Sequence, residues 1–259
     1  MSHTAEVVLA ALQELLAPAT PPERRQQLQV ALQAERSRDD AWQSYLPVLT
    51  SSTDEPLLWF ALSACENSLL RGRGMETSSA AERAQLKGAL CDMLLTPRRD
   101  TLPRSACGKA VGLFARLVRV AWPAEDPELL TFVLGLLRQP APTRAYAAGL
   151  LAAIVEDLAP DAHGSLAQRQ AELEAAFGVV LPSACDALSQ VLREEVAGAE
   201  EQSALPCLQA AAAILRLGWT LRPTRAATAV GWGGGAPSPH AAAAAGSAHH
   251  LASLLGAVG

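Results

Sequence analysis

Aromatic residues are scarce in this 259-residue chain, at 4% of positions against 50% hydrophobic overall. Ala and Leu therefore carry the apolar content, which favours helices packed on helices over sheets, since sheets recruit Val, Ile, Tyr and Thr. There is no basic excess. With 21 Lys and Arg against 26 Asp and Glu the net charge is −5, which leaves no cationic field for nucleic acid, speaks against an acidic partner and permits a basic protein one. Paired cysteines are missing too. Cys65, Cys91, Cys107, Cys185 and Cys207 stand singly, without a CxxC, so they read as small buried apolar residues in a reducing compartment rather than as disulfides or zinc ligands.

Long uninterrupted apolar runs are absent as well. The opening "MSHTAEVVLAALQELLAP" lacks a basic n-region, and Glu6 and Glu14 break it up. Asp54 and Glu55 split the apolar stretch 41–70, and nowhere before the last forty or so residues do eighteen uncharged apolar residues run together. A soluble intracellular chain without membrane insertion is expected. Catalytic raw material is equally thin. Of the five histidines, His3 is at the amino terminus, His163 is in a loop, and His240, His249 and His250 are in the tail. No ordered helix offers ligands at metal spacing, and neither G-x-S-x-G nor a P-loop occurs. "GWGGG" follows no strand and opens no helix, and His249-His250 reads as linker. Neither an enzyme nor a cofactor is expected.

What the chain does have is helical periodicity with regular breaks. Val8, Leu12, Leu15 and Leu16 mark a first helix ended by Pro18. In "TPPE" Thr20 can cap the next helix, the prolines suit its first turn, and Glu23 favours its positive end. Leu28, Ala31 and Leu32 stripe that second helix, and a short third runs from about Asp39 to Leu49. "SSTDEP" restarts the chain, with Thr53 or Asp54 as cap. Leu57, Ala61, Cys65 and Leu69 then recur every four residues beside Leu58 and Leu62.

The pattern goes on through Leu86, Leu90, Met93 and Leu94, and after "TLP" through Ala106, Ala110, Leu113, Leu117 and Val120. Leu129, Leu130, Val133, Leu136 and Leu137 follow "WPAEDPE"; Leu150, Leu151, Ile154, Val155 and Leu158 follow "QPAPT". Leu166, Leu173, Phe177 and Leu181 begin a longer helix with a kink expected at Pro182, continuing through Leu188 and Leu192. Leu208, Ala212, Leu215 and Trp219 stripe the last one. Ten helices thus pair into five hairpins starting near residues 6, 39, 80, 126 and 165, a spacing in the range of HEAT-type repeats. The predicted fold is all-α: a right-handed α-solenoid of about five hairpins over 1–221. Residues 222–259, rich in Ala and Gly, follow as a low-complexity linker or tail. A compact helical bundle is the rival architecture. The polar capping repeat that a free-standing solenoid needs is not evident, so the amino-terminal part of something longer is expected.

Several stretches resemble the amino-terminal HEAT repeats of the exportins, in the importin-β superfamily. They are "TPPERRQQLQ…AWQSYLPVL", "PLLWFALSACENSLL" and "TLPRSACGKAVGLFARLVRVAWP". Thr101-Leu102-Pro103, then Lys109, then Trp122-Pro123 is similar to the family's "LP…NKL…WP" helix, and "GLLAAIVEDLA" resembles the helix that follows, with Glu156 and Asp157 in its acidic places. The likeness covers roughly residues 5–160 and thins toward 220. Departures stand at Arg71-Gly72-Arg73-Gly74, where the family carries an Arg-Trp-like helix end. Others are Gly108 before Lys109, Ala121 before Trp122, and Glu35, which falls on an apolar stripe where an unpaired carboxylate would be costly.

The resemblance implies a nuclear export receptor that shuttles between nucleus and cytoplasm and binds Ran–GTP cooperatively with protein cargo. Profilin–actin is the implied cargo, and nucleoporins are implied as further contacts. It places the Ran contact on the second helices of the first hairpins, here 54–71, 101–121 and 141–158. On the first of these Ser63, Glu66 and Asn67 lie opposite the Leu57–Leu69 stripe. On the next Ser105, Lys109, Arg116 and Arg119 lie opposite Ala106–Val120, and Glu156 and Asp157 extend the polar row. Each is equally readable as an ordinary solvated face. Trp42, Trp59 and Trp122, at helix ends, read as packing between repeats, an exposed one becoming a candidate partner anchor. Arg98 and Arg99 read as a solvated turn. A structural helical-repeat scaffold without a GTPase partner is the alternative function.

Overall fold

The computed structural model describes residues 3–71, 78–158, 167–198 and 204–220. Among these residues there are ten α-helices, one short 3-10 helix and no strand. The helices fall into two compact units, Met1–Ala121 and Trp122–Gly259, each built of helical hairpins. The all-α helical-repeat expectation holds within each unit.

The first unit holds three hairpins. α1 (His3–Leu16) pairs with α2 (Pro22–Arg36), α3 (Ala41–Ser51) with α4 (Glu55–Leu70), and α5 (Ala80–Leu95) with α6 (Arg104–Ala121), the last through the 3-10 turn Pro97–Thr101. First helices pack on first helices, α1 on α3 and α3 on α5. Second helices likewise pack on second helices, α2 on α4 and α4 on α6. That is the stacking of a helical repeat.

Local chemistry explains where the helices start. The Asp54 carboxylate accepts from the Leu57 amide at 2.9 Å, with Pro56 in the first turn, so Asp54 and not Thr53 is the cap. Ser79 and Glu82 form a reciprocal capping box at the head of α5. Thr20 does not cap. α2 opens behind Pro21 at Pro22, and the Thr20 hydroxyl turns back to donate to the Glu14 carbonyl, closing the end of α1 instead.

α4 lies centrally, touching α1, α2, α3, α5 and α6. Its expected stripe is buried, and so are Phe60, Ser63, Glu66 and Ser68 on its other faces. Phe60 meets Tyr45 edge-on at 5.1 Å. The first hairpin, with neighbours on one side only within the unit, buries less. Leu28 and Leu32 are buried, but Ala31 is exposed and Leu16 is 63% exposed. Glu35 does fall on that stripe, and it is not orphaned. It takes two hydrogen bonds of 3.1 Å from Arg38 and one of 3.0 Å from the hydroxyl of the fully buried Tyr45. Burial, and then the Glu35 carboxylate, push the Tyr45 hydroxyl well above the usual tyrosine range.

Arg98 is not a solvated turn residue. Its guanidinium donates to the carbonyls of Leu49 and, at 2.8 Å, of Ser52, and it pairs with Asp92 at 3.2 Å. It thereby satisfies carbonyls left open at the carboxyl end of α3 and ties the third hairpin's turn to that of the second.

In the second unit α7 (Leu129–Leu136) pairs with α8 (Thr143–Asp157), and α9 (Ala167–Gly198) with α10 (Ala204–Thr220). α7 packs on α9 and α8 on α10, repeating the scheme of the first unit. α9 runs unbroken through Pro182 and buries Leu173, Phe177, Leu181, Cys185 and Leu188 on one face. Its segment Ala171–Glu194 is long and apolar enough to cross a membrane by length and composition alone, but its buried stripe is that of a packed hairpin helix. In α10 the buried stripe is Cys207, Ala210, Ala211 and Ile214, not Leu208, Ala212 and Leu215, which are half-exposed. Small side chains let α10 and the Ala-rich α8 approach closely, so Ala rather than Leu marks the contact. The side chains of Leu166 and Trp219, and the tail 222–259, lie outside the described residues.

All five cysteines are free thiols, four of them buried and Cys91 half-exposed. Burial pushes the Cys65 thiol up to about 12 and that of Cys185 to about 11.

Three outcomes follow. Arg98→Ala should lower the unfolding free energy by about 1–3 kcal/mol in urea titrations, because buried carbonyls lose their donor. Thiol labelling at pH 8 should modify Cys91 first and Cys65 only on unfolding. Because the folded Cys65 thiol titrates above its ordinary value, its contribution to stability is complete below that value and is lost as pH rises toward about 12, visible as a falling melting temperature in strong alkali.

Candidate functional site

The second and third hairpins meet along α4 and α6, and the polar contacts between them share one register. Ser105 donates to the Glu55 carboxylate and Arg116 to the Glu66 carboxylate, each across 50 residues of sequence. Lys109 Nζ sits 4.7 Å from the centre of the Trp59 ring at the same spacing. A constant offset along two helices means that they run parallel, as second helices of successive hairpins must.

Glu66 is the hub of this contact. Its side chain is only 7% exposed, yet it receives three cations: Lys109 at 3.1 Å, Arg116, and Arg71 at 2.5 Å. A carboxylate so far from water would be very costly alone, and the cations replace its lost hydration. Both guanidiniums contact Oε1 and the ammonium contacts Oε2, so each cation spends one nitrogen on Glu66. Lys109 and Arg116 keep 17% and 31% of their side chains exposed. Around Glu66 itself what reaches solvent is therefore cation and indole, while the exposed Glu55 carboxylate stands one turn before Trp59.

The expected inner-face residues scatter in their placement. Glu66, Lys109 and Arg116 come together. Ser63 is buried, its hydroxyl donating to the Trp59 carbonyl at 2.8 Å, and Arg119 is buried near the end of α6. From Phe60 to Leu70 only Asn67 of α4 is even half-exposed, because neighbouring helices surround the helix there. Asn67 is half-buried and Ser105 exposed. Glu156 and Asp157 end α8 in the second unit, where Glu156 is exposed and lies 3.5 Å from Arg216.

Two members of the cluster do not stand out in the sequence. Arg71 appears there only as a departure at a helix end, and Trp59 as a packing residue. Trp42 and Trp122 are indeed buried, at 8% and 2% exposure, but Trp59 is 45% exposed. The discoverable signal was the shared spacing of 50 residues between Glu55, Trp59 and Glu66 and Ser105, Lys109 and Arg116. Among the described residues no three His, Cys, Asp or Glu side chains group as metal ligands.

No protein-family model matches the sequence. Among curated proteins the chain is similar to Exportin-6-A of Xenopus laevis, with 24% identity over 191 residues. The match covers 72% of this chain and 16% of that protein, so the chain spans about a sixth of its relative's length. The relationship is exportin-like and distant, and it does not single out one member of the exportins.

Glu66→Ala should destabilise the chain by about 2–4 kcal/mol in chemical denaturation, since it strands partly buried cations. Lys109→Ala should cost about 1 kcal/mol, because two guanidiniums remain on the carboxylate. The double variant should cost clearly less than the two losses added together.

Proposed function

We propose that this chain forms part of an exportin-like nuclear transport receptor, with the second-helix face of its hairpins contributing to the binding of GTP-loaded Ran. The observation that carries the reading is the likeness to an exportin across most of the chain, coinciding with hairpins whose second helices stack in parallel register. In this reading Ran–GTP and a protein cargo each favour the same solenoid conformation, so each raises the other's affinity, and nucleotide hydrolysis releases both. Profilin–actin is the cargo implied by the resemblance, nucleoporins are contacts during passage, and the protein shuttles between nucleus and cytoplasm. No catalytic step of its own is assigned to the chain. A second reading, a helical-repeat scaffold without a GTPase partner, is favoured by the burial of Ser63, Glu66 and Arg119, which removes part of the presumed contact surface.

Calorimetric titration of the full chain with Ran carrying a non-hydrolysable GTP analogue, and with Ran–GDP as control, separates the two. Heat from the GTP form alone is expected. Equal signals from both forms, or none from a chain whose circular dichroism is helical, would replace the receptor reading with the scaffold.

A further inference from the structure

α4 buries nearly every side chain between Leu57 and Leu70, and Trp59 is the large apolar exception, 45% exposed. Leaving so much indole in water is unfavourable, and Lys109 covers only part of the ring from one side. Beside it, three cations face the Glu66 carboxylate and, one turn before Trp59, the exposed Glu55 carboxylate, so the face carries an excess of one positive charge. Glu66 is too deeply buried to present its own charge, and the Ser105 hydroxyl orients the exposed Glu55 carboxylate without cancelling its charge. This local field is opposite in sign to the net charge of −5 of the chain.

The surface also has room. Gly112 lies one turn from both Lys109 and Arg116 on the same face of α6, is exposed, and has nothing within 4 Å of where a Cβ would stand. Gly108, beside Lys109, is open in the same way. A helix interior loses about 0.8–1 kcal/mol by carrying Gly rather than Ala, so the notch costs stability and packing does not require it. Exposed indole, excess positive charge and an open notch between two cations meet within three turns of helix.

We propose that this α4–α6 face docks an acidic segment of a partner protein. An apolar side chain of that segment seats on Trp59 at the Gly112 notch, and its carboxylates pair with Arg116 and Lys109. Charge complementarity selects the partner, because only an acidic segment neutralises the excess charge without displacing Glu66. Trp and Arg are the side chains that dominate such contacts when a partner excludes water from them. The inference does not rest on GTPase binding: peptide capture would survive a failed Ran titration, and Ran could bind while this face stayed empty.

The test uses the full chain and fluorescence anisotropy of a fluorescein-labelled peptide of repeated Glu-Glu-Leu-Leu units. Versions with Gln or Lys in place of Glu serve as controls. The Glu peptide should bind and weaken as NaCl rises, and the two controls should not bind. Trp59→Ala and Gly112→Leu should each weaken binding at least about tenfold, a loss of hot-spot size. Gly112→Leu fills open space and should melt close to the unsubstituted chain, so it separates lost docking from the packing that Trp59→Ala also removes. The proposal is overturned if the Gln peptide binds as well as the Glu peptide, or if both variants bind normally. It is also overturned if sulfate displaces the peptide far better than NaCl of equal ionic strength, which would mark a small-anion site.

Discussion

The first unit is organised around a carboxylate that water scarcely reaches. Glu66 lies in the last third of the most enclosed helix of the unit, and its charge is tolerable because Arg71 and, from the next hairpin, Lys109 and Arg116 surround it. Leu, Ala and Val faces slide past one another with little loss, whereas a buried ion that misses its partners costs several kcal/mol. Shifting α6 along α4 by one turn would leave that charge with Arg71 alone. The apolar stripes bring the two helices together, and Glu66 decides at which register they stop.

Ran and cargo, in the receptor reading, act on this same arrangement. An exportin-like repeat transmits binding through the way its hairpins lean on each other, and a contact made on one second helix reaches its neighbour only where the two are firmly coupled. Between α4 and α6 that coupling runs through side chains that are themselves at the surface. Trp59, Lys109 and Arg116 are at once part of the joint and available to a partner. A ligand that drew Lys109 or Arg116 away from Glu66 would loosen the joint, and one that added a carboxylate beside them would tighten it.

Apolar spacing made the helices legible, and a few residues fixed their ends. Leu57, Ala61, Cys65 and Leu69, or Leu86, Leu90, Met93 and Leu94, are buried as their period requires. Sequence leaves Thr53 and Asp54 both open as the cap of α4, and the Leu57 amide selects Asp54. What period cannot reveal is how many neighbours a helix has. Ser63 and Glu66 lie opposite an apolar stripe, and on a helix packed from one side they would face water; on α4 that opposite side is also covered. The reverse holds for Trp59, whose size suggested the interior. Arg98 shows a second blind spot, because its partners are backbone carbonyls some 46–49 residues away and carry no signature in sequence. In α10 the strongest apolar residues misled. Close approach of two Ala-rich helices makes the small residues the contact, and Leu208 and Leu215 are left half-exposed. Net charge misleads in a similar way, since an average over 259 residues hides three cations gathered at one place.

The outermost ties between α4 and α6, Glu55 with Ser105 and Glu66 with Arg116, stand eleven residues apart along each helix, roughly 16 Å at the usual rise. One tie alone would be a pivot, free to turn. Two at that separation resist torque, so the pair behaves as a braced beam: it can bend as a whole, but its members do not scissor. With Arg98 pinning the turns at one end as well, twisting strain applied to this unit has to be taken up elsewhere. The junction with the first hairpin is the more compliant place, for there the buried contacts are fewer and Leu16 and Val30 stand open to water.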